Sequence, residues 1–321
     1  MKSSSASAAL SALKISSIAI VGSGALGTYY GARLALAGAE VRFLMRGDLA
    51  AVRERGAITL HEKNGSSELR PVAVFGSTEE IGPVDLVLVT LKTTANAELA
   101  RLLPPLLGPR TAVVTLQNGL GNEEHLAALV GAERVLGGLC FIAVNRIAPG
   151  ELRGYHTPGS ITLGEFGRPA SERSRGIAEL FKSAGVNCLA VENLIEARWR
   201  KLVWNIPFNG LTAAHGLTTD RVLADPALAA EVRALMDEVA AVARSLGFVI
   251  PESFIQSQLD VTPPMGAYAP SSLLDLRAGR ALEIEAIWGE PLRRAKAAGV
   301  AVPHLDALYR KLGCARAAPA P

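Results

Sequence analysis

The chain has 321 residues, with 33 Lys+Arg against 30 Asp+Glu, a formal net charge of +3, and 49% hydrophobic but only 5% aromatic content. At about 150 residues per domain this length predicts two domains, each large enough for its own core. The balanced charge excludes an acidic solvating tail, and without a basic block no nucleic-acid partner is expected.

A mean hydropathy of +0.26 is high for a water-borne chain. Yet the apolar runs 18–21, 84–91 (broken by Asp85) and 113–116 fall far short of the roughly 18–20 residues that span a bilayer. No membrane partner is expected, and the apolar residues are assigned to sheet and helix cores. The three cysteines (Cys140, Cys188, Cys314) and five histidines (His61, His125, His156, His215, His304) stand singly. A disulfide framework or a metal site needs clusters that are absent, so reduced thiols, no metal and a cytoplasmic setting are expected.

Residues 1–13, rich in Ser and Ala, lack a continuous apolar segment and read as a disordered leader rather than a secretory signal. The run Ile18-Ala19-Ile20-Val21 predicts a first strand, and 25–37 a helix closed by Gly38. Val41-Arg42-Phe43-Leu44-Met45 predicts a second strand, and Asn64-Gly65 a hairpin turn. The runs 84–91 and 111–116 have the composition of parallel strands covered on both faces. Strand–helix alternation of this kind predicts an α/β, Rossmann-type doubly wound sheet. From about Asn193 the pattern turns to a 3.6-residue period, with helices expected at 194–214, 226–246, 281–298 and 302–312. The expected division is therefore a dinucleotide-binding domain over 14–191 and a C-terminal all-helical domain over 192–321, with a boundary near Val191.

The sharpest motif is Gly22-Ser23-Gly24-Ala25-Leu26-Gly27, a G-x-G-x-x-G that follows the first strand and opens the first helix. The first glycine permits a tight turn, the second lets a pyrophosphate approach the backbone, and the third lets helix and strand pack closely. The anion then rests on amides at the positive end of the helix. The second strand ends in Phe43-Leu44-Met45-Arg46 rather than in an acid. A guanidinium suits the 2′-phosphate of NADP(H) through charge-assisted hydrogen bonds. A solvated strand-end arginine is the plain alternative, and Asp48 keeps a 2′-hydroxyl contact open.

A Rossmann-type domain does not specify a substrate. The second set of groups lies in Trp199-Arg200-Lys201-Leu202-Val203-Trp204-Asn205-Ile206-Pro207-Phe208-Asn209, where Lys201, Asn205 and Asn209 at i, i+4 and i+8 form one polar stripe. Pro207 predicts a kink there. The stripe reads either as a helix–helix hydrogen-bond ladder or as a proton donor beside substrate-aligning amides. Ketone reduction needs such a donor, because hydride delivery leaves an alkoxide on the former carbonyl oxygen. Lys92 and Asn118-Gly119 follow strands at the carboxyl ends where open sheets bind ligands, and read otherwise as a loop cation and a turn. Ser271 and Glu283 read either as a helix cap and a solvent-facing acid or as site residues.

In order along the chain stand Gly22 to Gly27, a strand ending in Arg46, Leu91-Lys92, Gln117-Asn118-Gly119, Trp-Arg-Lys-Leu-x-x-Asn-x-x-x-Asn from Trp199, Ser-Ser-x-x-Asp-Leu-x-x-Gly-Arg-x-x-Glu-Ile-Glu from Ser271, and Ala-Gly-Val-Ala-Val-Pro from Ala298. From about Lys14 to Leu312 the chain resembles the ketopantoate reductases (2-dehydropantoate 2-reductases). The resemblance implies NADPH-dependent reduction of ketopantoate to pantoate in pantothenate and coenzyme A synthesis, with the site in the cleft between two domains. It implies Lys201 as general acid, and Asn118 against both cofactor and substrate. Asn205, Asn209 and Ser271 would hold the substrate's hydroxyl and carboxylate. Gly22, Ser23, Gly24, Ala25, Leu26, Gly27, Arg46, Lys92, Ala143 and Glu283 would hold the cofactor. Family members often place another substrate-contacting asparagine about ten residues beyond Asn209. Here Thr218-Thr219-Asp220 stands instead, so Thr219 is expected to take that contact, and a different branched 2-oxo acid is the alternative substrate. A non-catalytic dinucleotide sensor would have no use for Lys201, Asn205, Asn209 and Asn118 together. The apolar helical domain suggests a homodimer.

Overall fold

The computed structural model describes residues 15–315, so the expected leader lies outside the described residues. The chain forms two compact units. One comprises the residues up to Gln117 together with Asn122–Leu194, and the other comprises Asn118–Gly121 together with the chain from Ile195 onward.

The first unit is built on one ten-stranded sheet: β1 (Ser17–Val21), β2 (Glu40–Leu44), β3 (Ile58–Glu62), β4 (Gly65–Leu69), β5 (Ala73–Phe75), β6 (Val84–Val89), β7 (Leu107–Thr115), β8 (Val135–Ala148), β9 (Glu151–Glu165) and β10 (Asn187–Ala190). The spatial order is β4-β3-β9-β8-β7-β6-β1-β2-β5, with β10 beside β9. The strands β8-β7-β6-β1-β2-β5 pair in parallel. Alternate residues of each strand enter opposite cores. Ile18, Ile20, Leu86, Leu88 and Val114 pack with Tyr29, Tyr30 and Phe181. Their neighbours Ala19, Val21, Val87, Val89 and Val113 pack with Leu99, Leu103 and Leu126. Both faces of a parallel sheet are thus covered, which is why these strands read as unbroken apolar runs. Helices α1 (Ala25–Leu36), α2 (Leu49–Arg55), α3 (Asn122–Val130) and α4 (Glu172–Ser183) belong to this unit.

The sheet is not parallel throughout. β3 and β4 form the expected hairpin, with Glu62 opposite Gly65. β8 and β9 form a second, longer antiparallel pair with three irregularities in register. The apolar residues 139–144 of β8 were not assigned to a strand, and residues 141–148 are partly or fully exposed rather than buried.

The second unit is helical: α5 (Leu194–His215), α6 (Thr219–Ala224), α7 (Pro226–Ser245), α8 (Glu252–Val261), α9 (Ser271–Arg277), a π-helical turn (Glu285–Gly289) leading into α10 (Glu290–Ala297), and α11 (Pro303–Ala315). Trp199, Leu202, Val203 and Ile206 of α5 pack with Leu235, Met236 and Val239 of α7, with Trp288, and with Leu305 and Leu308 of α11. Glu238 of α7 caps α11, accepting from the His304 and Leu305 amides at 2.9 and 2.8 Å. The kink expected at Pro207 does not end α5, which runs unbroken through it. Among the described residues no helix is long and apolar enough to cross a membrane.

One buried acid anchors the first unit. Glu165, 1% exposed at the end of β9, accepts from Ser171, Arg173 and Arg168. Burial alone would raise this carboxyl, but the bonds from Arg173 and Ser171 and the two guanidinium charges outweigh it and hold it below the ordinary glutamate range. Its stabilising contribution is therefore complete above about pH 4.3, the unfolded value, and is lost as pH falls through the lower folded value. Glu165→Ala is expected to destabilise the fold by about 3 kcal/mol, since one partner of a buried ion pair disappears. Thermal unfolding of variant and parent between about pH 7 and pH 3 checks this, and the two midpoints should converge toward acid.

Candidate active site

The glycine loop between β1 and α1 has the geometry its three glycines predict. Gly22 has φ +109°, and an added Cβ would overlap the backbone of Thr90 and Leu91 where the chain leaves β6. Thr90 closes this contact by donating from its hydroxyl to the Gly22 carbonyl at 2.7 Å. At Gly27 a Cβ would meet Ile20 of β1 and the Thr90 hydroxyl, so helix and strand touch there. At Gly24 a Cβ would meet nothing within 4 Å. The first and third glycines are thus required by the protein's own packing, whereas the second leaves open backbone. Gly24 is the N-cap of α1, and no acidic side chain lies in the helix's first turn. The first-turn amides of a helix lack intrahelical acceptors, so this end can receive an anion without a competing carboxylate. Ser23 turns its hydroxyl to the Leu44 carbonyl at 2.8 Å, tying the loop to the end of β2.

Arg46 follows β2, its side chain 65% exposed and paired with Glu98 at 3.0 Å. Asp48 is engaged by Arg146 at 2.7 Å and is only 14% exposed.

In the helical unit the polar stripe of α5 meets two other segments. Lys201 Nζ donates to Asn118 Oδ1 at 2.7 Å, across 83 positions of sequence. An ammonium only donates, so this contact fixes which way the Asn118 amide points. Asn209 Oδ1 accepts from the Ser271 hydroxyl and from the Ser272 amide, both at 3.2 Å. The backbone amide fixes this second orientation too, and Asn209 presents its Nδ2 hydrogens as donors. Asn205 lies between them on the same face and is 6% exposed.

The sequence matches the family model for ketopantoate reductase PanE/ApbA over residues 18–168 and the model for its C-terminal domain over 193–314. The chain belongs to the ketopantoate reductase family. It is 41% identical to a 2-dehydropantoate 2-reductase of Nostoc sp., over 92% of this chain and 93% of that protein. Among solved structures it resembles the 2-dehydropantoate 2-reductase of Geobacter metallireducens, with TM-score 0.90 and 44% identity over 93% of this chain and 99% of that one. The enzyme of the same name from Methylococcus capsulatus gives TM-score 0.86 and 35% identity, over 94% and 98% of the two chains.

Within this family member the structure joins some of the expected residues and separates others. Lys201 meets Asn118, and Asn209 meets Ser271. Ser271 begins α9 without a side-chain cap bond, so its hydroxyl serves Asn209 rather than the helix end. Glu283, expected as a surface acid on the plain reading, is 5% exposed and precedes the π-helical turn. Lys92 heads the 3₁₀ turn that follows β6, and Ala143 sits where the β8–β9 register shifts. Thr219, expected to contact substrate, is the first residue of α6. It is fully buried, and its hydroxyl faces the Gly266 and Tyr268 carbonyls at 3.0 and 3.3 Å. These contacts tie the start of α6 to the loop before α9.

Gln117 had no role assigned from the sequence. Buried at the end of β7, it donates to the Leu91 carbonyl at 2.9 Å and to Asn96 at 2.7 Å. It thereby secures the segment that backs Gly22. The available signal was an amide closing an apolar strand, where a buried polar group needs partners.

Proposed function

We propose that the protein reduces 2-dehydropantoate to pantoate with NADPH. The observation that carries this reading is the 2.7 Å contact between Lys201 and Asn118, in a family whose members named above are 2-dehydropantoate 2-reductases. When bound, the reduced nicotinamide supplies a hydride to the C2 carbonyl carbon. Lys201 then has two tasks at the former carbonyl oxygen. Its ammonium stabilises the developing alkoxide, and its Nζ proton passes to that oxygen to complete the alcohol. Asn118 keeps the lysine's long side chain in place for that transfer. Asn209, its carbonyl occupied by Ser271 and Ser272, directs N–H donors to an acceptor of the substrate, and Asn205 adds a second amide on the same face. The second substrate reading, a different branched 2-oxo acid, rests on Thr218-Thr219-Asp220 standing where family members often place an asparagine. An absorbance assay at the NADPH band with a panel of 2-oxo acids tests the reading. Preference for 2-dehydropantoate is expected, and absence of NADPH oxidation with it would end the assignment.

The choice of NADPH rests on Arg46. A 2′-phosphate offers that guanidinium a stronger, doubly charged acceptor than Glu98, while Asp48 is already occupied by Arg146. Arg46→Ala is expected to weaken NADPH by about 10–100-fold, the value of one hydrogen bond to a charged group, and to leave NADH nearly unchanged. Fluorescence titration of both cofactors checks it, and equal weakening of both would show that Arg46 does not read the phosphate.

A further inference from the structure

We propose that the π-helical turn Glu285–Gly289, whose Ala286 carbonyl is left for Leu120 because Pro291 has no N–H, is a positioning element that holds both partners of the Lys201–Asn118 contact. The inference rests on the reading of Lys201 as proton donor but stands on separate geometry. Within the turn the Glu290 amide bonds to the Glu285 carbonyl, an i→i+5 step. In a regular α-helix that same amide would go to Ala286. The next amide in line belongs to Pro291, which has no N–H. The Ala286 carbonyl is left to an acceptor role outside the helix, and the Leu120 amide donates to it at 2.9 Å.

This bond seats the Asn118-Gly119-Leu120 segment closely. Gly119 has φ +88°, and an added Cβ would overlap the Ala286 carbonyl, so only glycine fits. Two residues after Ala286, the fully buried Trp288 donates from Nε1 to the Ile206 carbonyl of α5 at 3.0 Å. A Cβ on Gly210 would come within 2.9 Å of that nitrogen, so α5 and the indole also approach closely. One side of the turn therefore grips the segment carrying Asn118, and another grips the helix carrying Lys201, Asn205 and Asn209. Helical π-turns cost hydrogen-bond regularity and recur at functional positions. Here the irregularity releases the one carbonyl that the asparagine segment needs.

Pro291→Ala supplies an amide at the i+5 position from Ala286, which continues the π pattern and competes with Leu120 for the Ala286 carbonyl. In the cofactor-free variant the Leu120 amide, followed by NMR, is expected to exchange with solvent at least about tenfold faster. In turnover kcat is expected to fall by about tenfold, the value of roughly one hydrogen bond, with KM and NADPH affinity unchanged. Trp288→Phe, which keeps the ring and removes only the donor, is expected to show the same split between kcat and KM. Unchanged Leu120 exchange in Pro291→Ala would overturn the proposal, and so would unchanged kcat in both variants. A loss of kcat matched by losses in KM, cofactor affinity and thermal midpoint would mark general packing damage and overturn it equally. If the parent protein fails to turn over 2-dehydropantoate, the assigned reaction fails, and Leu120 exchange alone then decides whether Pro291 sets the placement.

Discussion

Lys201→Ala is expected to lower kcat for 2-dehydropantoate reduction by about 10²–10⁴-fold, the range for loss of a positioned general acid, with NADPH affinity retained. The expectation follows from where the side chain acts. The ammonium is held by Asn118 at 2.7 Å in the helical unit, whereas the glycine loop and Arg46 lie in the other unit. A group needed only as charge develops on the substrate oxygen contributes to the transition state and little to ground-state binding, so kcat and kcat/KM should fall together. Lys201→Arg keeps the charge but not the proton-transfer chemistry, because a guanidinium does not release its proton in this pH range. It should therefore recover only part of the loss. Steady-state kinetics with fluorescence titration of NADPH separates these effects. Full turnover by the alanine variant would remove Lys201 from the mechanism.

Gly22→Ala and Gly24→Ala are both expected to weaken dinucleotide binding, and only the first is expected also to destabilise the protein. At Gly22 the backbone occupies φ +109°, and a methyl would enter the Thr90–Leu91 backbone, which has no rotamer by which to yield. A non-glycine residue in this region costs about 1–2 kcal/mol before any clash is counted, and the overlap adds to it. The chain must then shift at the junction of β1, β6 and α1, and the first-turn amides move with it. At Gly24 φ is −76° and a methyl enters open space, so folded stability should change by less than about 1 kcal/mol. The same methyl stands where a pyrophosphate would approach, and an affinity loss of at least about tenfold, roughly 1.4 kcal/mol, is expected. Thermal unfolding without cofactor, paired with NADPH titration, distinguishes the two variants. A Gly24→Ala protein with unaltered affinity would contradict pyrophosphate binding at this loop.

Features encoded within a few residues were legible without the fold. The glycine loop announced itself because a strand, three spaced glycines and a helix are contiguous. The stripe of Lys201, Asn205 and Asn209 followed from helical period alone. Features that depend on a distant partner were not legible in the same way. Nothing near Thr219 signals that its hydroxyl turns inward to Gly266 and Tyr268, and only the fold shows that the Ser271 hydroxyl bonds Asn209 and does not cap its own helix. The β8–β9 pairing was not legible because its register shifts three times, so neither strand keeps a strict inside–outside alternation along its length. Gln117 belongs to the Gln-Asn-Gly motif, yet its bonds to Leu91 and Asn96 need the ends of two strands side by side.

By itself, the sequence determined the strand–helix alternation, the change to helical period near Asn193, the anion-ready loop and the identity of the polar face on α5, because each depends on backbone sterics or local periodicity. Only the tertiary structure decided that Asn118 joins the helical unit to meet Lys201, that Glu283 is buried, and that a proline-interrupted helix leaves the Ala286 carbonyl for Leu120. Periodicity specifies which side of an element is polar, but its partner is chosen by long-range packing, where most buried donors and acceptors find a match.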